Sequence, residues 1–82
     1  MIMKNVETRI VVDEHIMAGK PIIRGTRVTV ESIIKRMAEG LTVRDIIEEY
    51  PQLNEKDIMA ALEYAAEVVS QEEIMPVIIN TS

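Results

Sequence analysis

His15 is the only histidine in the chain, and it stands beside Asp13 and Glu14. An imidazole next to two carboxylates suggests a metal site or an acid–base pair. Either use needs a second fixed ligand or a positioned partner. The chain has no cysteine and no second histidine to supply one. A loop histidine, exposed or hydrogen-bonded, is the expectation, with no metal and no cofactor. The adjacent carboxylates Glu48-Glu49 and Glu72-Glu73 fall on helical patterns and read as solvated faces. Gly19-Lys20 begins like a phosphate loop, but Pro21 follows and has no N–H to offer a phosphate. One loop histidine makes no credible Ser–His–Asp arrangement, so the chain is not expected to be an enzyme. Tyr50 and Tyr64, without Phe or Trp, give no stacking platform for single strands or RNA.

Binding chemistry remains, and the charges divide it. Residues 1–44 hold eight basic and five acidic side chains, a balance of +3. Residues 45–82 hold one basic and nine acidic ones, −8, and the two halves add to the net −5. A basic half and an acidic half suit different partners. The candidate contacts to duplex DNA are Lys20, Arg24, Arg27, Lys35, Arg36 and Arg44. The candidate contacts to a partner protein are Glu63, Glu67, Glu72 and Glu73, followed by the apolar run Val77, Ile78 and Ile79. That run could fold back onto the N-terminal strand or pair with a second chain by strand addition. A second chain is favoured, and a homodimer is expected, because a small domain has little spare core for an apolar tail.

The elements that must position these groups follow from period and punctuation. The length fits one domain, residues 1–82, made of a β-arm and turn (1–28), a three-helix bundle (29–70) and a tail (71–82). Residues 9–12 read as a strand with Ile10 and Val12 on one side. Ile16, Met17 and Ala18 read as a short buried turn. Residues 19–30 form a rigid cationic turn–strand–turn, with Pro21 fixing φ and Gly19 and Gly25 free to adopt positive φ. A first helix spans residues 30–39, capped by Thr29, with Val30, Ile33, Ile34 and Met37 on one apolar face and Gly40 as its stop. Thr42 and Asp45 open a short second helix that Pro51 ends. Asn54 caps a third helix, with Asp57 at its third position. Ile58, Ala61, Leu62, Ala65 and Val69 share one face of it. Glu72-Glu73 oppose the dipole at its C-terminal end, so the helix is expected to have frayed by then. No run approaches a membrane span, and no secretory leader pattern opens the chain. A cytoplasmic location is expected.

Three short-linked helices make a mostly α bundle whose connections suit a helix-turn-helix. Yet the third helix, the one that would enter the major groove, carries Glu55, Asp57, Glu63 and Glu67 against Lys56 alone, net −3. Phosphates repel such a helix, and no arginine is present on it to read guanine.

The run Gly19-Lys20-Pro21-Ile22-Ile23-Arg24-Gly25-Thr26-Arg27-Val28-Thr29-Val30 resembles the signature of the family catalogued as domain of unknown function 433. The likeness continues from Gly40 through Tyr50-Pro51 to Leu53, and through Ile58 to Ala65. It covers about residues 9–69. Glu14 and Thr29 stand where the family often has Pro. The resemblance implies a homeodomain-like helix-turn-helix fold with a short N-terminal β-hairpin or β-arm. It also implies, for many members, an antitoxin role beside a PIN-like ribonuclease toxin. Two functions are therefore expected. The first is an antitoxin-like DNA-binding regulator that holds duplex DNA by its basic residues and a toxin by its acidic end. The alternative is a dimeric protein-interaction module without nucleic-acid binding, whose arginines pair with carboxylates of the same chain. Arginine's planar fork serves both.

Overall fold

The structure is a computed structural model that describes residues 9–72. Two short strands, β1 (Ile10–Val11) and β2 (Ile22–Ile23), pair antiparallel with Ile10 opposite Ile23 and Val11 opposite Ile22. Three helices follow: α1 (Val30–Ala38), α2 (Val43–Glu49) and α3 (Glu55–Glu72). They form the expected mostly helical domain behind a small β-arm. The C-terminal apolar tail, residues 73–82, lies outside the described residues.

The arm is tied at both ends. The Arg24 N–H donates to the Arg9 carbonyl (2.7 Å), and the Ile23 N–H donates to the Val28 carbonyl (2.9 Å). Pro21 has no N–H to extend the ladder, but its carbonyl accepts the Val30 N–H at 2.9 Å. Pairing therefore stops at Val11, and Val12 has left the sheet and is exposed rather than sharing the buried side with Ile10. The turn expected to be buried is also different. Met17, Ala18 and Gly19 take φ of 51°, 59° and 79°, one left-handed turn. That geometry is costly for Met17 and Ala18, and it directs both side chains into solvent.

Helix starts and stops follow local chemistry. The Thr29 side chain accepts the Ser32 N–H at 3.0 Å. The Thr42 side chain accepts the Asp45 N–H at 3.1 Å, and Asp45 accepts the Thr42 N–H at 2.9 Å, a reciprocal capping box. Gly40, at φ +101°, closes α1. Its N–H donates to the Met37 carbonyl and the Leu41 N–H to the Arg36 carbonyl (3.0 and 3.1 Å), the Schellman arrangement.

The core is aliphatic. Ile22, Ile33, Ile46 and Ile58 are fully buried, with Ile10, Ile23, Val28, Val30 and Leu53 around them. Ala60 and Ala61 let α3 lie close to its neighbours, and both are fully buried. Helix α3 continues through Glu72, past the expected fraying point. Its last turns are braced by the Ser70 hydroxyl donating to the Ala66 carbonyl (3.1 Å) and by Gln71 donating to Glu67 (3.3 Å). The expected apolar face is only half realised. Ile58 and Ala61 are buried, Leu62 and Ala65 are half-buried, and Val69 is 66% exposed. The nine residues of α1 are too few to cover all eighteen of α3.

Candidate interaction surface

Among the described residues, the candidate DNA contacts Lys20, Lys35 and Arg36 pair with carboxylates of the same chain. Lys20 Nζ lies 2.8 Å from Glu31 Oε1, and Lys35 Nζ lies 3.8 Å from Glu31 Oε2. The hydrogen bond and charge of Lys20, then the charge of Lys35, hold the Glu31 carboxyl below the usual glutamate range. Arg36 makes a bidentate pair with Glu49, at 2.8 Å from Nε and 2.6 Å from Nη2, which bridges α1 to α2. The Tyr50 ring packs against the same guanidinium, 5.5 Å from its centroid. The pair lowers the Glu49 pKa, and the Glu49 hydrogen bond raises that of Arg36.

Arg24, Arg27 and Arg44 are exposed and lie on two elements. Arg24 and Arg27 flank Gly25 in the turn after β2, and Arg27 Nη1 approaches Met17 Sδ at 3.8 Å. Arg44 lies on α2, on the wall of a shallow groove with Val43, Ile47, Glu48 and Glu55. His15 is exposed, and its backbone N–H donates to Asp13 Oδ1 at 2.8 Å.

The acidic third helix divides into two sides. Asp57 turns inward and is 8% exposed. Its Oδ1 accepts Arg9 Nη1 at 2.9 Å, and its Oδ2 accepts the Asn54 N–H at 2.9 Å. Asn54 Oδ1 in turn accepts the Asp57 N–H at 2.9 Å. Asp57 is thus no part of the repulsive outer surface that sequence counting assigned it to, because Arg9 neutralises it inside the fold. The asparagine-to-aspartate spacing announced the cap, but nothing local announced a partner 48 residues away. The outer side of α3 presents Glu55, Lys56, Met59, Glu63 and Ala66, all exposed, with Met59 at 47%. Met59 is an exposed apolar side chain that pattern reading did not single out, since it lies off the face that the helical period marks. Glu67 is half-buried, and Glu72 ends the helix. Glu73, Val77, Ile78 and Ile79 lie outside the described residues.

A second surface is apolar. Pro21, Val30, Ile34, Tyr64, Ala65, Val68 and Val69 line a groove of about 380 Å³ between α1 and the C-terminal half of α3, with Glu31 and Lys35 at its rim. Among the described residues no group of three or more His, Cys, Asp or Glu side chains gathers as metal ligands would. Nor is any described helix long and apolar enough to cross a membrane.

The family model described as "Protein of unknown function (DUF433)" matches residues 10–65. The fold is similar to the crystal structure of a DUF433 member protein from Anabaena variabilis ATCC 29413, with a TM-score of 0.74 and 24% identity. That match covers 80% of this chain and 65% of the other, so this chain spans less than two thirds of that protein's length. No curated protein matches the chain.

Proposed function

We propose that this chain, which belongs to the DUF433 family, is a non-enzymatic, antitoxin-like interaction module that binds a partner protein through the outer side of α3. One observation carries the reading. The helix that would read DNA in a helix-turn-helix presents Glu55, Met59 and Glu63 to solvent, with Lys56 the only cation on it. Carboxylates around an exposed methionine repel phosphate, and they suit a partner whose own surface is cationic with an apolar centre. Methionine adapts its shape to such a contact, and the charges steer the encounter and fix register. A PIN-like ribonuclease fits that charge, because it must draw RNA phosphates toward its acidic centre through a ring of cations. Glu67, Glu72 and Glu73 extend the acidic supply along the chain, and Val77, Ile78 and Ile79 follow as apolar anchors.

The test is binding of a PIN-like ribonuclease from the same genome, measured by calorimetry. Glu55→Lys with Glu63→Lys should weaken binding at least tenfold and Met59→Ala severalfold. Affinity unchanged by all three would place the partner elsewhere.

Duplex DNA remains as a second reading on one specific observation, the exposure of Arg24, Arg27 and Arg44. Binding by these residues would fall with salt, the logarithmic slope being about −0.9 per neutralised phosphate. Arg24→Ala and Arg27→Ala would reduce that slope, and Lys56→Ala would not.

A further inference from the structure

The buried part of α3 ends at Ala61, and none of the residues from Leu62 to Gln71 is buried. At 1.5 Å per residue α3 is about 27 Å long and α1 about 13.5 Å. The C-terminal half of α3 therefore runs on beside α1 and past it. It keeps an apolar side there: Tyr64, Ala65, Val68 and Val69 form one wall of the groove whose other wall is Val30 and Ile34. Val69, at 66% exposure, leaves much of its side chain in water on the edge of that groove.

We propose that this face is a two-fold interface between two copies of the chain, in which the C-terminal half of α3 from each copy lies against the α1–α3 groove of the other. Three observations select a second copy as the occupant. First, the groove and the helix end that needs covering are continuous on one molecule. A symmetric contact covers both twice, as isologous interfaces do. Second, charge is complementary between the two parts. Glu31 and Lys35 lie on the groove rim and Lys20 pairs with the same Glu31, so the three charges sum to +1. The part of α3 that faces the groove, residues 64–71, carries Glu67 and no cation. Each rim therefore meets an acidic helix end, and equal faces do not repel. Third, Ala65 keeps the groove face of α3 thin, so that another helix axis can approach to about 8 Å. The groove wall on α3 is Tyr64, Ala65, Val68 and Val69, not the outer side assigned to the partner protein, so a dimer leaves Glu55, Met59 and Glu63 available.

Analytical ultracentrifugation of the full chain at about 10 to 100 μM tests this, together with carbodiimide cross-linking of a mixture of ¹⁵N-labelled and unlabelled protein. The expected mass is twice 9.3 kDa. Mixed-isotope cross-links should join Lys20 or Lys35 of one copy to Glu67 of the other. Val69→Glu, at an exposed position that leaves the core intact, should raise the dimer dissociation constant at least tenfold with an unchanged circular dichroism spectrum. Val77→Asp with Ile79→Asp should leave the dimer in place. A monomeric wild-type chain at 100 μM would overturn the proposal. So would a Val69→Glu dimer as tight as wild type. Loss of the dimer in the Val77 and Ile79 variant would also overturn it, since residues 73–82 would then be what holds the copies together.

Discussion

Asp57→Ala removes more from this fold than its single carboxylate suggests. The side chain joins the β-arm to the start of α3. One oxygen takes Arg9 and the other takes the Asn54 N–H, both at 2.9 Å. Losing the acceptor at the helix start costs about 1 kcal/mol, within the range for caps. Losing a charge-assisted bond to arginine costs about 1.5–3 kcal/mol when the pair is enclosed. Here the lower end applies, because the Arg9 side chain is 29% exposed and regains water once its partner is gone. The total expected is about 2.5 kcal/mol. For a domain of this size that lowers the melting temperature by roughly 10–20 °C. Arg9→Met should cost about 1–2 kcal/mol, because the carboxylate keeps its Asn54 N–H and the favourable helix N-terminus. Urea unfolding followed at 222 nm on the two single variants and the double variant gives the coupling, expected at about 1 kcal/mol. A coupling below about 0.3 kcal/mol would refute the claim that this pair fastens the arm to the bundle.

Other substitutions separate backbone from packing effects. Gly40→Ala meets no atom within 4 Å of the added Cβ. Its cost should therefore be pure left-handed strain, about 1–2 kcal/mol, read by thermal unfolding. Ile33→Val and Ile46→Val, both at fully buried positions, should each cost about 0.5–1.5 kcal/mol without changing the far-ultraviolet spectrum. Acid should destabilise the domain in a defined window. The Glu31, Asp45 and Glu49 carboxyls are held below their ordinary values by Lys20, by the Thr42 backbone and hydroxyl, and by Arg36 respectively. A depressed folded pKa contributes stability above the unfolded value and loses it as pH falls through the folded one. The melting temperature should stay level from pH 8 to about 5 and fall below about pH 4.

Helix boundaries were legible in the sequence because the chemistry that sets them is local. Thr29, Thr42 with Asp45, Asn54 with Asp57, and Gly40 all act within four residues of themselves, and each occupies its expected place. What depended on distant neighbours was not legible. The 3.6-residue period placed Val69 on the core face, but only a neighbouring helix of equal length would have covered it. Arg36 and Lys20 read as open cations, and their engagement by Glu49 and Glu31 came from chain crossings 13 and 11 residues apart. Met17 and Ala18 carry no sequence sign of positive φ beyond the glycine that follows them. In the candidate site, Glu63 was foreseen and stands exposed. Met59 and Glu55 were not chosen, since only the rotation of α3 against α1 and α2 decides which side faces out.

The most direct measurement of the central claim compares two affinities for one charge reversal. Wild-type chain and the variant carrying Glu55→Lys and Glu63→Lys are titrated against the ribonuclease and against duplex DNA at physiological salt. An outer α3 surface built for a cationic protein predicts that the variant loses at least tenfold toward the ribonuclease and gains toward DNA. Wild-type binding to duplex DNA at that salt, with no ribonuclease affinity to lose, would contradict it.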